Sequence, residues 1–310
     1  MSDRSITIRN FLADDFNRYV ALHVESGQLE AANRFASAQY LRDNLEHPTF
    51  EPQTDLWVAD LNGVLVGCLV INREPEIGRA LLAGFVHPVH RRKGIATKLL
   101  TEGLKGIRPS SIQSAQVSVP EANTGAKRFL NQMGFDYIRY FTEMRLDINT
   151  RQLAAICEGA TSSRRLKPGE VNLLTRIQNR CFAGSWGFNP NTEEEIAYRL
   201  NMRSRSPQDV ILTYEQNHPV GYCWTIINSA ENENRPEKKG QIHMLGVDPD
   251  YRQQEIGKAI LHNGLKALKA RGADIVELTV DSENTAARAL YESMGFRMLG
   301  KTEWYGKRVN

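Results

Sequence analysis

The residues Val86–Thr97 read V-H-P-V-H-R-R-K-G-I-A-T. A strand that stops at Pro88 and passes through Arg91 and Gly94 into a helix is built to hold an anion. Successive backbone N–H groups in such a loop converge, and the N-terminus of the next helix stands behind them. Small residues at Gly94 and Ala96 let phosphate oxygens approach the backbone closely. Neither a G-x-x-x-x-G-K-[ST] loop nor a G-x-G-x-x-G turn is present, so two common nucleotide-binding devices are excluded.

The same design recurs downstream as V-D-P-D-Y-R-Q-Q-E-I-G from Val247, which lies 161 residues beyond Val86. A second pair of blocks keeps that spacing: N-T-G-A-K-R-F-L-N-Q-M-G-F from Asn123 and N-T-A-A-R-A-L-Y-E-S-M-G-F from Asn284. Two separated blocks with one offset indicate duplication of a whole domain, because solenoid repeats have much shorter periods. Domain boundaries are therefore expected at 1–148 and 164–310, with a linker over 149–163.

Around these blocks, periodicity predicts the elements that position them. In the first half, strands are expected over Ile6–Arg9, Ala80–Val86 and Gln116–Val119. Helices are expected over Ala13–Ser26, Lys93–Lys105 and Thr124–Met133. Leu56–Ala59 and Val64–Ile71 flank Asn62-Gly63, a strong hairpin signal. Phe135–Ile148 is expected to close the sheet in one or two strands. The second half predicts helices over Val171–Phe182, Thr192–Leu200, Ile256–Ala270 and Thr285–Ser293. Its expected hairpin runs Val210–Tyr214 to Val220–Ile227 across Asn217-His218. Strands follow at Ile242–Val247 and Ile275–Val280, with Phe296–Val309 closing the sheet. A helical turn is expected at Gln152–Ile156, inside the linker.

The 310 residues are 41% apolar and 24% charged, with 39 basic and 36 acidic side chains. That balance gives no basic stripe for nucleic acid. No apolar run approaches the ~20 residues that span a bilayer. The first residues lack the basic-then-apolar pattern of a signal peptide, and four scattered cysteines read as reduced core thiols. The expectation is a cytoplasmic protein without nucleic-acid or membrane partners, monomeric or homodimeric. His87 and His90 lack further ligands at metal spacing, so no metal is expected.

The pattern V-x-P-x-x-R-x-x-G-x-A, followed by N-x-x-A-x-x-L-Y-x-x-x-G-F, resembles the acetyl-CoA-binding core of the GNAT superfamily of N-acetyltransferases. The tandem arrangement, with S-W-G-F-N-P (Ser185–Pro190), G-Y-C-W-T (Gly221–Thr225) and L-G-V-D-P (Leu245–Pro249), resembles mycothiol synthase-like two-domain proteins. The resemblance implies an α/β fold, a mixed and mostly antiparallel sheet flanked by helices, occurring as two tandem GNAT-like domains. It implies direct transfer of an acetyl group from acetyl-CoA to the amine of a small molecule. The alternatives are a non-catalytic acyl-CoA binder, and a protein N-terminal or lysine acetyltransferase.

The resemblance also assigns residues. The pyrophosphate would lie on the amides of Arg92, Lys93, Gly94, Ile95, Ala96 and Thr97, after Arg91 and with Asn123 beyond. The pantetheine arm would run beside Phe85 and Val86. Leu245, Val247, Arg252, Gly257, Lys258 and Asn284 are the matching positions of the second half. Backbone amides would stabilise the oxyanion, and the tyrosine of N-x-x-A-x-x-L-Y, Tyr291 here, would protonate the departing thiolate.

Each half departs from the pattern in a different place. The first keeps the loop but has Leu130 where the tyrosine would stand. That leaves two readings, a cofactor-binding domain without chemistry, or an active one that uses solvent as the acid. The second keeps Tyr291 but puts Glu255 where the first glycine of the loop belongs. A carboxylate ~6 Å from a phosphate charge costs about 0.7 kcal/mol at water-like dielectric and about 3 near ε of 20, so weakened CoA binding is expected there. The family's glutamate early on the strand is Gln241 here, which cannot act as a base. His243 shares the face of Gln241 and ordinarily titrates near 6.5. It is either the base or a packed strand histidine. Trp186, Phe188 and Trp224 line an acceptor pocket or pack in the core, with the core favoured for Trp224. Glu193-Glu194-Glu195 either attracts a cation or serves the dipole of its helix.

Overall fold

The computed structural model describes residues 6–29, 37–107, 111–149, 161–202, 205–228, 232–233, 235–252 and 255–309. The chain divides into two compact units, Met1–Arg139 with Glu303–Asn310, and Tyr140–Thr302.

The first unit opens with β1 (Ile6–Asn10), α1 (Phe16–Leu29), α2 (Ala38–Leu45) and the short α3 (Pro52–Asp55). The hairpin β2 (Leu56–Leu61) and β3 (Val64–Glu74) turns at Asn62-Gly63, both with positive φ, as that dipeptide requires. β4 (Arg79–Val86), α4 (Ile95–Ile107), β5 (Ser114–Pro120) and α5 (Thr124–Gln132) follow. Strand order is β1-β2-β3-β4-β5, antiparallel except for β4 and β5, which run parallel. One face of the sheet buries Leu69, Leu82 and Val86 with Leu99 and Leu104 of α4. The other buries Val58 and Cys68 with Tyr19 and Leu22 of α1.

The second unit runs β7 (Thr161–Arg165), α6 (Val171–Phe182), α7 (Glu193–Asn201), the hairpin β8 (Val210–Glu215) and β9 (His218–Ile226), and β10 (Lys239–Val247). Then come α8 (Ile256–Ala270), β11 (Ile275–Asp281) and α9 (Thr285–Ser293). Its order is β11-β10-β9-β8-β7, with β10 and β11 parallel. Ile242 and Val220 pack toward α8, and Trp224 and Tyr222 toward α6. The fold is the expected one, a mixed, mostly antiparallel sheet flanked by helices, built twice.

The closing strands differ from expectation. β6 (Asp136–Asp147) is one continuous strand, and from Phe141 to Asp147 it pairs antiparallel with β11 of the second unit. The end of β12 (Arg297–Arg308) belongs to the first unit instead. There Tyr305 and Val309 are buried in the core, and the Val309 N–H donates to the Gln113 carbonyl at 3.0 Å. Alternation in a strand fixes its buried face but not the neighbour it bonds, so each half's last strand reads the same in either place. Of the expected linker, 150–160, with the turn at Gln152–Ile156, lie outside the described residues, and Thr161–Ser163 begin β7. The second hairpin turns at Gln216-Asn217, one residue earlier than expected, and both residues have positive φ.

Candidate active site

In each unit the parallel strand pair parts midway. The β4–β5 ladder ends at Leu82↔Val117, while β4 continues to Val86 against β3. The β10–β11 ladder ends at Gln241↔Glu277, while β10 continues to Val247 against β9. Beyond each fork one edge of the longer strand faces no ladder partner, and an extended amide-bearing chain can add there as a strand does. Phe85 and Val86, and Leu245 and Val247, lie on these two edges. Ala83 and Gly84 are exposed on the first.

At the end of each long strand an arginine latches the loop. Arg91 Nε donates to the Val86 carbonyl at 3.0 Å, and Arg252 Nε to the Val247 carbonyl at 3.4 Å. In the first unit Arg92 (φ 63°) and Gly94 (φ 74°) take left-handed conformations, and Ile95, Ala96 and Thr97 form the first turn of α4. Left-handed residues alternating with ordinary ones turn successive N–H groups to one side. Lys93 Nζ reaches the Val89 carbonyl at 3.5 Å.

In the second unit Gln253 and Gln254 lie outside the described residues. Glu255 adopts the conformation of Gly94, with φ 60°, which costs a residue with a Cβ about 1–2 kcal/mol. Its side chain is 84% exposed, with Lys258 Nζ 3.5 Å away. The carboxylate therefore points out to solvent while the backbone keeps the shape of the loop. Gly257 sits in the first turn of α8, where a Cβ would stand 3.3 Å from Leu290.

Asn123 and Asn284 cap α5 and α9, accepting from the Ala126 and Ala287 amides at 3.1 Å each. Their side-chain oxygens thus have a structural task in both halves. Tyr291, on α9, is 7% exposed and packs against Phe296, 5.8 Å between ring centroids. Burial holds its hydroxyl well above the usual tyrosine pKa, with the nearby Cys223 adding to the shift. The hydroxyl therefore keeps its proton at ordinary pH. Leu130 fills the corresponding place on α5 and is 5% exposed, in a cluster that includes Phe135.

His243 is set by a β-bulge. Ile242 pairs with Thr225 and Met244 with Trp224, which leaves His243 without a ladder partner. β4 has no such interruption against β3. The bulge therefore adds one residue to β10, and His243 is that residue. Bulges re-aim side chains in this way. The His243 ring meets Trp224 edge-on at 5.6 Å, and Nε2 lies 3.3 Å from Arg205 Nη1. Burial, then Arg205 and Arg199, push its pKa down to about 3. The ring is neutral at ordinary pH and a far weaker proton acceptor than the expected value near 6.5 implies.

Trp224 is fully buried. Trp186 is half-buried beside Phe141, 6.0 Å between centroids, and Phe188 stacks on Phe182 at 5.6 Å. Glu195 closes a capping box with Thr192, while Glu193 and Glu194 are exposed in the first turn of α7. That run is accounted for by the helix itself.

Sequence reasoning missed a pocket of about 160 Å³ on β6, β10, β11 and β12, with Glu143, Gln241, Glu277, Thr279 and Leu299 in its wall. Glu277 was visible as the one charged residue in the apolar run Ile275–Val280. Its position opposite Gln241 depends on the strand register, which no local pattern carries. Among the described residues no group of His, Cys, Asp or Glu is arranged to hold a metal ion, and no helix is long and apolar enough to cross a membrane.

The acetyltransferase (GNAT) family model matches residues 16–135 and again 171–296. A mycothiol acetyltransferase of Thermobispora bispora is 32% identical over 68% of this chain and 70% of its own length. A GCN5-related N-acetyltransferase structure from Sphaerobacter thermophilus superposes with TM-score 0.76 at 21% identity, covering all of this chain and 97% of that one. A tandem GNAT protein from the clavulanic acid biosynthesis pathway gives TM-score 0.73 at 16% identity over 99% of both chains.

Proposed function

The chain belongs to the acetyltransferase (GNAT) family, carrying the domain twice, and from that premise we propose that it moves the acetyl group of acetyl-CoA directly to the amine of a small molecule, with the chemistry in the second half. The observation that carries this reading is the joint presence, in the second unit, of a forked strand pair and a buried, proton-retaining Tyr291. The first unit has the fork and the better loop but only Leu130 in place of the hydroxyl.

The residues fit the co-substrate. Backbone amides from Arg92 to Thr97 suit a pyrophosphate, and those beyond each fork suit the amides of a pantetheine arm. Bound acetyl-CoA supplies an activated thioester. Transfer forms a C–N bond as the C–S bond breaks, and the sulfur leaves as a thiolate. Tyr291 donates a hydrogen bond to that sulfur. Full proton transfer from so weak an acid to a thiolate of pKa near 8.5 is uphill, so its main effect is stabilisation of the leaving sulfur. The first half holds a second CoA without performing the transfer.

Thiol release from acetyl-CoA over a panel of small primary amines tests this reading. Release in step with an N-acetylated product is expected. CoA binding without product from any amine overturns it.

A further inference from the structure

A protonated amine has a pKa near that of lysine, about 10.4, and must lose a proton before it attacks. Gln241 is an amide and accepts none at neutral pH. His243, with a pKa pushed down to about 3, is a poor acceptor. We propose that Glu277, on the strand beside Gln241, is the general base of the second half.

Gln241↔Glu277 is the last rung of the β10–β11 ladder, at the fork itself. Partners across a parallel ladder project to the same face, and neighbouring strands stand about 4.8 Å apart. Glu277 therefore offers a carboxylate one strand-width from the position where the resemblance places a glutamate. Both side chains line the same pocket, together with Glu143 and Thr279. The first half has Leu81 and Gln116 on the corresponding rung, with no titratable group.

Glu277 sits among paired charges. Lys239 Nζ stands 3.4 Å from Glu277 Oε2. Arg145, the register partner of Glu277 on β6, is tied to Glu237 at 2.6 Å. The pocket's other carboxylate, Glu143, accepts from the Thr302 hydroxyl at 2.5 Å. The Glu277 side chain is 25% exposed, open enough for an incoming ammonium. Its carboxylate takes one proton from the ammonium, directly or through one water. The freed nitrogen lone pair forms the C–N bond as the C–S bond breaks. The second proton lost from that nitrogen passes to the departed thiolate, directly or through water, and Glu277 later returns the first to solvent.

This assignment depends on the second half being the site of transfer, so the test separates the two ideas. Glu277→Gln, Tyr291→Phe and the exchange variant Glu277→Gln with Gln241→Glu are assayed in the full chain, with thermal melts to confirm folding. Glu277→Gln should lower kcat/KM by about 100-fold or more, as loss of a general base does. The exchange variant, which moves the carboxylate back across the rung, should recover most of that loss. Wild-type kcat/KM in Glu277→Gln alongside a slowed Tyr291→Phe overturns Glu277 alone, as does failure of the exchange to rescue. Wild-type rates in both single variants overturn the placement of chemistry in the second half. A larger loss in Glu143→Gln than in Glu277→Gln also contradicts the assignment.

Discussion

At position 130 the first half buries a leucine, and at 291 the second buries a tyrosine in the corresponding place on its helix. At 94 the first has glycine, and at 255 the second has glutamate, with the same left-handed backbone. The rung at each fork carries Leu81 and Gln116 in one half, and Gln241 and Glu277 in the other. The backbone devices, by contrast, are shared. Each half has an arginine latched to the carbonyl of its strand-ending valine, an asparagine cap on the helix after the fork, and the fork itself. The backbone scaffold has been kept twice, while the side chains to which the proposed reading gives chemistry stand in one copy.

Four changes break or sharpen that contrast. The largest expected effect is on turnover. Tyr291→Phe removes one oxygen and keeps the packing, and kcat should fall by at least about tenfold, because a positioned donor to developing negative charge contributes ~10²- to 10³-fold and water substitutes in part. An unchanged kcat moves the chemistry to the first half.

Next is Gly94→Glu, which puts a carboxylate and a strained left-handed residue at the first loop. Calorimetry on the full chain should show CoA affinity at the tighter of two sites reduced by an order of magnitude or more. Two unchanged binding events refute a role for this loop.

The reciprocal change is milder. Glu255→Gly removes an exposed charge worth about 0.7 kcal/mol at water-like dielectric, or roughly threefold in CoA affinity at the weaker site. It also relieves about 1 kcal/mol of backbone strain, so the melting temperature should rise. A variant that neither binds CoA more tightly nor melts higher contradicts both effects.

The fourth change, at His243, is read in stability against pH and leaves turnover least affected. Its folded pKa of about 3 lies below the ordinary 6.5, so the stability from burying it neutral is complete above pH 6.5. It is lost as pH falls from 6.5 toward 3, by up to ~1.4 kcal/mol per pH unit. His243→Gln lacks this loss, and any melting advantage of the wild type should shrink between pH 7 and pH 4. A constant difference over that range contradicts the neutral, buried state. For the same reason the variant should show no missing ionisation near 6.5 in kcat/KM.

Much of the fold was legible in the sequence because periodicity is local. α6, α8 and α9 begin and end at the expected residues, Val171–Phe182, Ile256–Ala270 and Thr285–Ser293. The first three residues of β7, Thr161–Ser163, read as the end of a linker because they are polar, as edge strands commonly are. The partners of β6 and the end of β12 were not legible, since a strand's sequence does not name its neighbour. The loop at Arg91–Thr97 was readable from glycine and proline placement. The bulge at His243 and the rung at Glu277 depend on register between strands far apart in the chain. The expected base was accordingly placed on a histidine whose surroundings hold it neutral.

The most direct test of a division between binding and chemistry is a crystal structure of the full chain with CoA and an amine it acetylates. CoA is expected on the loop Arg91–Thr97 of the first unit with no amine beside it, and the amine nitrogen in the second unit within hydrogen-bonding reach of Glu277. An amine bound in the first unit, beside Leu81 and Leu130, would contradict it.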